Sequence, residues 1–135
     1  MSGMSNYLEA MVVNSSVRGA AFTVPAALYL ALFSADPTDD GNVNELAYTG
    51  YARQAVTGGW AAPSGADNQS SNTGQIVFPA NGSAGNVTAS HFGIFDAASA
   101  GNCLWTGALS SARTVIPGDQ IAFAVGQIVL KPDTV

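Results

Sequence analysis

The stretch ALYLALFSADPTDDGN, residues 27–42, indicates the fold class, because an apolar run gives way abruptly to a polar turn. The seven apolar residues 27–33 are too few for a typical helix and predict a strand that is buried on both faces. The DPTDDGN that follows contains three aspartates, a proline and a glycine, which are residue types that favour turns. A buried strand that ends in a tight polar turn is typical of a mainly β domain.

The turn after this strand partly matches a calcium-binding loop. The EF-hand pattern requires oxygen ligands at positions 1, 3, 5, 7, 9 and 12, and counting from Asp36 puts Asp40 at position 5. Position 12 is Ala47, where a bidentate glutamate is needed, and Pro37 directly follows the first position. We therefore predict a turn without a metal ion, which Asp36-Pro37 begins and Asp40-Gly41 ends.

Further strands are predicted where apolar runs lie between Gly, Pro and Asn turns. They span residues 50–56, 74–80, 86–97, 102–109 and 112–116, with two more short strands in 120–130 that are kinked at Gly126. The polar segment 61–73 is predicted to be a surface loop. This number of short strands indicates a mainly β fold, an antiparallel sandwich or a barrel-like single domain with one short N-terminal helix.

The predicted domain spans residues 1–135, with an N-terminal helix or arm at 1–22 and a β-sandwich at 23–131. Its core is expected to contain the apolar residues that alternate along the strands. These are Leu28, Leu30, Leu32, Val56, Ile76, Phe78, Phe92, Ile94, Leu104, Leu109, Ile121 and Phe123.

The segment SNYLEAMVVNSS, residues 5–16, predicts the helix. Ser5 or Asn6 can cap its N-terminus, and Glu9 lies in the first turn. The helix either packs on the sheet of its own domain or docks on a neighbouring subunit, and the sequence leaves both possibilities open. The residues assigned to partner binding are Tyr7, Leu8, Met11 and Val12 in this helix, together with Arg53.

Arg53 lies in a predicted strand with few other charges, beside Tyr51. We expect its guanidinium to pair with an acidic residue of the same or a neighbouring subunit, or to stack on an aromatic ring.

Charge is sparse along the chain. Only 10% of the residues are charged, whereas about 25% is usual for globular domains, and 47% are apolar. Such a composition suits a surface that other subunits cover, so we expect a homo-oligomer or a larger assembly. The nine acidic residues outnumber the four scattered basic ones, which argues against nucleic-acid binding. No signal peptide or membrane-spanning run is recognised, so no membrane partner is expected.

No complete catalytic or cofactor-binding set is found in the sequence. Cys103 is the sole cysteine and His91 the sole histidine, so neither a zinc site nor an internal disulfide can form from them. A Cys–His pair oriented by Asp96 is conceivable, but Cys103 lies in an apolar strand where free cysteines are ordinarily buried. Trp60 and Trp105 are expected in packing rather than in sugar binding. We predict no enzyme activity and no cofactor.

The order of five segments resembles a known family. These are YLEAMVVNSSVRGAAFTVPAALYLALFSADP, GYARQAV, NTGQIVFPA, SHFGIFDA and GNCLWTGAL, and the resemblance extends over nearly the whole chain, from about residue 6 to residue 130. The pattern is similar to small tailed-phage and prophage proteins called phage tail fiber proteins, with LYLALFSADP and GYARQAV as its most specific parts. The segment GADNQSSNT is longer than the family pattern. The resemblance implies a structural component of the virion, made in the bacterial cytoplasm, and no catalytic residues.

Head and tail locations remain open at this point. A long fibre needs heptads or repeated β-modules, and this chain has neither. We therefore expect a capsid decoration or cement protein that binds the major capsid protein in many copies. The alternative is a tail fibre, tail tip or baseplate accessory protein that binds tail proteins.

Overall fold

The computed structural model describes residues 2–132 as one mainly β domain with one short helix. The elements in chain order are β1 (Ser2–Met4), α1 (Asn6–Val17), β2 (Tyr29–Phe33), β3 (Gln54–Ala55), β4 (Ser70–Ser71), β5 (Ile76–Val77), β6 (Val87–Phe95), β7 (Cys103–Val115), β8 (Ala122–Phe123) and β9 (Val129–Leu130). A five-stranded sheet has the order β1-β7-β6-β2-β3, and the pairs β4-β9 and β5-β8 form two small ladders. All pairings are antiparallel, so the predicted fold class is confirmed.

Strand β2 is buried on both faces, as its continuous apolar sequence predicts. Leu30 and Leu32 point into the main core, where they pair with Ile94 and Phe92 of β6. On the opposite face, Phe33 belongs to a smaller cluster with Ala31, Phe95 and Cys103. A strand with core on both sides needs apolar residues at every position rather than at alternate ones, which explains the uninterrupted run.

The main core brings the five-stranded sheet together with residues of the two small ladders, in a sandwich-like arrangement. Of the predicted core residues, all but Leu28 and Leu109 are buried, and these two are partly buried against the cluster. The prediction missed Leu46, Tyr48 and Ile128, which lie outside the regular strands but are buried.

The N-terminal helix is confirmed. The side chain of Ser5 accepts a hydrogen bond from the Leu8 amide at 3.2 Å, which is the geometry of an N-cap. Strand β1 precedes the helix and was not predicted, because three residues with a central glycine carry no periodicity. It pairs with residues 105–107 of β7. The division into an arm at 1–22 and a body at 23–131 stays a prediction.

Two predicted strands, 102–109 and 112–116, form the single strand β7. Between the pairs Ala89–Arg113 and His91–Ala108, four residues of β7 face Ser90 alone. Such a bulge bends the strand without ending it, so the polar Ser-Ser pair at its centre resembles a turn in the sequence.

The prediction of a surface loop at 61–73 is wrong at its C-terminal end. This end contains β4 and the buried Asn72, which is 2% exposed. Its side-chain amide donates to the carbonyls of Gly74 and Ala124, and its Oδ1 accepts from the Ile128 amide at 2.9 Å. These hydrogen bonds connect the loop to two other segments of the chain. Composition alone does not distinguish such a buried asparagine from one that is exposed to solvent.

The predicted strand at 50–56 is reduced to β3. Gly50 has a φ of +93°, and the Tyr51 amide donates to the Tyr48 carbonyl, so the chain is still turning at these residues. In the part of the chain that the structure describes, no helix has the length and the apolar character that crossing a membrane requires.

Candidate functional site

Large apolar side chains are exposed mainly near the N-terminus. Of the ten exposed large hydrophobic residues among residues 3–132, six lie between residues 7 and 24. We call these six the N-terminal apolar surface: Tyr7, Val12, Val13, Val17, Phe22 and Val24, with exposed fractions from 37% to 77%. They leave on the order of 500 Å² of these side chains in contact with water, distributed over several sides of α1 and the segment that follows it.

Helix α1 supplies the first part of this surface because it is apolar on two sides. On its inner side Leu8 is 5% exposed, and Ser5 ties the start of the helix to β7 through hydrogen bonds to the Cys103 and Leu104 carbonyls. On its outer side, Val13 and Val17 continue a stripe at i, i+3 and i+7 that begins at Ala10. A helix on the surface of a monomer ordinarily places polar residues there.

The segment after the helix supplies the second part. Residues 18–28 form no helix or strand, and every residue from 16 to 24 is exposed. Phe22 and Val24 therefore face water although they are apolar. The only charged residue in this exposed run is Arg18, whose Nη1 donates to Asn14 Oδ1 at 2.8 Å.

The predicted partner-binding residues of α1 are placed differently from one another. Tyr7 and Val12 belong to the N-terminal apolar surface, and Met11 is half-buried. Leu8 is buried and holds the helix on its own domain, so it does not contribute to this surface. Val13 and Val17 were not among the predicted partner-binding residues, although their spacing from Ala10 indicates a second apolar face.

Arg53 contacts a carboxylate, two backbone carbonyls and an aromatic ring. Its Nε and Nη2 each donate to a different oxygen of the Glu45 carboxylate at 2.8 Å, and its Nη1 donates to the Ala97 and Ala100 carbonyls. The guanidinium carbon lies 3.8 Å from the centre of the Phe95 ring. The expected ion pair and ring stacking are thus confirmed, whereas the assignment of Arg53 to partner binding stays a prediction.

The opposite charges of Arg53 and Glu45 are paired, and both side chains are largely buried. The arginine side chain is 6% exposed and that of Glu45 is 29% exposed. Burial by itself would raise the pKa of Glu45, but hydrogen bonds from Arg53 and Tyr51 outweigh it, so the pKa lies below its ordinary value. Burial raises the pKa of the Tyr51 hydroxyl, which donates to Glu45 and accepts from the Leu32 amide. This group fastens the loop after β6 to the sheet.

The turn at 36–42 has the predicted ends. Asp36 Oδ1 accepts from the Thr38 amide at 2.9 Å, and the Gly41 amide donates to the Thr38 carbonyl. Gly41 has a φ of +64°, and a Cβ there would lie 2.7 Å from Cys103 Sγ, so glycine is required on both counts. The turn thus packs its glycine against the small core cluster.

Cys103 and His91, the two residues considered for catalysis, differ in their surroundings: Cys103 is buried and His91 borders a cavity. Burial raises the pKa of the Cys103 thiol to about 12, so the thiol is protonated at neutral pH. His91 borders a cavity of about 320 Å³ that Glu9, Asp36 and Asp39 also line, and its Nδ1 lies 2.8 Å from Ser90 Oγ. Within residues 2–132, no group of three or more His, Cys, Asp or Glu side chains could hold a metal ion.

The comparison with protein families matches nearly the whole of this domain. A family model described as Podophage GP4 fiber I protein gp80 matches residues 3–131. The chain belongs to this family. The match covers α1 and all but the first residue of β1 as well as the β-rich part, so the N-terminal apolar surface lies inside the family domain. The resemblance to phage tail fiber proteins is confirmed, and the chain is a phage fibre structural protein. A search of curated proteins found no match.

Proposed function

We propose that this protein is a non-enzymatic subunit of a phage tail fibre. The observation that carries the proposal is the match of residues 3–131 to a fibre protein family. The N-terminal apolar surface supports it, since a protein that acts through contacts with other subunits needs a surface of this kind.

The tail location replaces capsid decoration as our preferred interpretation. The family description names a fibre protein and favours the tail alternative over the head. The expectation of a decoration protein rested on the absence of heptads and repeated modules, which shows only that this chain does not build a long fibre by itself. A fibre can also be assembled from several short subunits, each of them a single domain.

The proposal of a structural role without catalysis has its own support. The Cys103 thiol is protonated at neutral pH, and the Arg53 guanidinium is occupied by Glu45 and two carbonyls. Neither group is therefore available for nucleophilic attack or for binding an anion. The expected partners are other virion proteins, and the expected location is the virion after synthesis in the bacterial cytoplasm.

Immunogold labelling or cryo-electron microscopy of purified virions tests the location. We expect density or label for this chain at the tail, in few copies. Copies repeated over the capsid lattice would instead support decoration and would contradict the proposed tail function. Absence of the chain from purified virions would overturn both structural interpretations.

A further inference from the structure

We propose that the peptide between Asn81 and Gly82 is a deamidation site that the fold keeps unreactive, so that a chain which stays unfolded is changed chemically and cannot refold. Asn81 is the only one of the nine asparagines that a glycine follows. Glycine favours this reaction because no side chain hinders the approach of its amide nitrogen and because its backbone is conformationally free. The inference goes beyond the proposed function and does not depend on it.

The reaction of the unfolded chain needs no reagent other than water. The amide nitrogen of Gly82 gives up its proton and forms a bond to Cγ of Asn81, while the bond between Cγ and Nδ2 breaks and the nitrogen takes up a proton and leaves as ammonia. Water then adds across one of the two C–N bonds of the cyclic succinimide. One opening gives aspartate, and the other gives isoaspartate, whose main chain is longer by a methylene group.

In the folded domain the side chain of Asn81 is held in place. It is 1% exposed. Its Nδ2, the atom that leaves in the reaction, donates to the Gly85 carbonyl at 2.9 Å and to the Val115 carbonyl at 3.2 Å. Its Oδ1 accepts from the Ser83 amide at 2.9 Å. Cγ therefore cannot turn towards the Gly82 nitrogen without breaking hydrogen bonds that water does not replace in a buried site.

The backbone of the two residues is held as well. The attacking nitrogen of Gly82 donates to the Thr49 carbonyl at 2.9 Å, so its proton is already engaged. The Asn81 amide donates to the Asp119 carbonyl at 2.8 Å, and the Asn81 carbonyl accepts from the Gly118 amide at 2.7 Å. Closure of the ring changes the direction of the main chain here, so it requires local unfolding of the segments that meet at Asn81.

The products of deamidation do not fit the folded structure. Aspartate at position 81 has a negatively charged oxygen in place of the amide nitrogen that donates to the Gly85 and Val115 carbonyls, and this site is buried. Isoaspartate also lengthens the main chain beside Gly82, where even an added Cβ would lie 2.8 Å from the Thr49 oxygen. Deamidation therefore removes an unfolded chain from the population that can refold.

Peptide mass spectrometry of the full-length chain tests the reactivity. One sample is kept folded in buffer and another unfolded in guanidinium chloride, at the same mildly alkaline pH. In the unfolded sample Asn81 should deamidate about tenfold faster than Asn86 or more, because the β-branched side chain of Val87 hinders ring closure at Asn86. In the folded sample conversion of Asn81 should be slower by about a hundredfold or more, because only the small open population reacts.

Refolding connects the chemical change with the fold. When unfolded samples are returned to buffer after increasing times, the fraction that regains the native circular dichroism spectrum should fall in step with the fraction deamidated at Asn81. Gly82→Ala is a control within the denaturant, where packing does not matter, and its methyl group should slow deamidation of Asn81 by about tenfold. Full refolding of deamidated chains would overturn the proposal.

Two variants test the product directly. Asn81→Asp carries aspartate on a main chain of normal length and should either fail to fold or melt at a much lower temperature. Asn86→Asp is the matched control, because Asn86 is exposed in the same segment, and it should melt as the wild type does. Equal melting of the two variants would overturn the proposal, as would equal deamidation of Asn81 in the folded and unfolded samples or equal rates at Asn81 and Asn86 in the denaturant.

Discussion

At the scale of single residues, Arg53 is a nearly buried cation that lies beside the smaller core cluster. Its guanidinium contacts Glu45, two carbonyls of the loop after β6 and the Phe95 ring. Arg53 supplies the cation that pairs with Glu45, the hydrogen-bond donor for both carbonyls and the charge that stacks on the ring. Substitutions at this position therefore affect groups that are distant along the chain.

Replacement of Arg53 by alanine should lower the free energy of unfolding by about 3 kcal/mol, since it leaves the Glu45 carboxylate without its cation. The value lies at the low end for a broken buried pair, because Glu45 stays 29% exposed and regains some hydration. Urea unfolding of Arg53→Ala measures the change. Arg18→Ala is the control and should have little effect on unfolding, because that arginine is exposed. Equal stability of the two variants would show that the Arg53 ion pair contributes nothing.

The Glu45 carboxylate should make stability depend on pH in the acid range. Its pKa is lower in the folded protein than its ordinary value of 4.5, so the unfolded chain takes up the proton first as the pH falls. The stabilisation is therefore fully present above the ordinary pKa and is lost as the pH falls through the folded pKa. Glu45→Gln removes this titration. We expect the difference in unfolding free energy between the wild type and Glu45→Gln to shrink below about pH 5, whereas a constant difference would contradict the lowered pKa.

At the scale of secondary-structure elements, α1 is held to the sheet mainly at its first turn. The Ser5 side chain donates to the Cys103 carbonyl and accepts from the Leu8 amide, and the Ser5 amide donates to the Leu104 carbonyl. Ser5 is fully buried, so water does not replace these partners when they are lost. The position of the helix thus depends on Ser5 as well as on the buried Leu8.

Ser5→Ala should destabilise the protein by about 2 kcal/mol, because it removes an N-cap and leaves a buried carbonyl without its donor. Amide exchange in α1 should accelerate more than exchange in β6. Ser16→Ala is the matched control, since Ser16 lies in the same helix and is exposed, and it should change stability by less than about 0.5 kcal/mol. An effect of Ser5→Ala as small as that of the control would contradict the anchoring role.

The turn at 36–42 should fold without calcium. Its Asp36 carboxylate already accepts a hydrogen bond from the Thr38 backbone amide, and Ala47 occupies the position where an EF-hand loop requires glutamate. Thermal melts in excess calcium and in a chelator should coincide. Calcium at 100 times its dissociation constant would stabilise the protein by about 2.7 kcal/mol, which would raise the melting temperature of a domain of this size by several degrees. Such a rise would contradict the prediction.

At the scale of the whole molecule, the low charge content determines which forces hold an assembly together. Only 10% of the residues are charged, and the N-terminal apolar surface includes no charged side chain among its six residues. We therefore expect contacts through this surface to be largely apolar, and added salt screens exposed ion pairs much more than apolar contacts.

Attachment of the chain to the virion should consequently persist at high salt. Between about 0.1 M and about 1 M NaCl, we expect purified virions to retain the chain, because salt screens exposed ion pairs and leaves apolar contacts largely unchanged. Pelleting the virions at both salt concentrations and blotting for the chain measures this. Complete release at high salt would show instead that ionic contacts dominate the attachment.

Periodic and local signals in the sequence determined much of the fold. The continuous apolar run at β2 indicated a strand buried on both faces, the serine before the helix indicated the N-cap, and the kink at Gly126 separated β8 from β9. Each of these features depends on residues near one another along the chain. The order of segments likewise indicated the family, whereas the assembly expected from the sparse charge stays a prediction.

The tertiary structure alone decided which apolar and polar residues are covered. Leu8 and Val13 look alike in the sequence, but packing against β7 buries the first and leaves the second exposed. Asn72 resembles any loop asparagine until the chain brings Ala124 and Ile128 to it, and Arg53 is paired because folding places Glu45 and Phe95 around it. Burial depends on which distant segments meet, and those contacts form only when the sheet assembles.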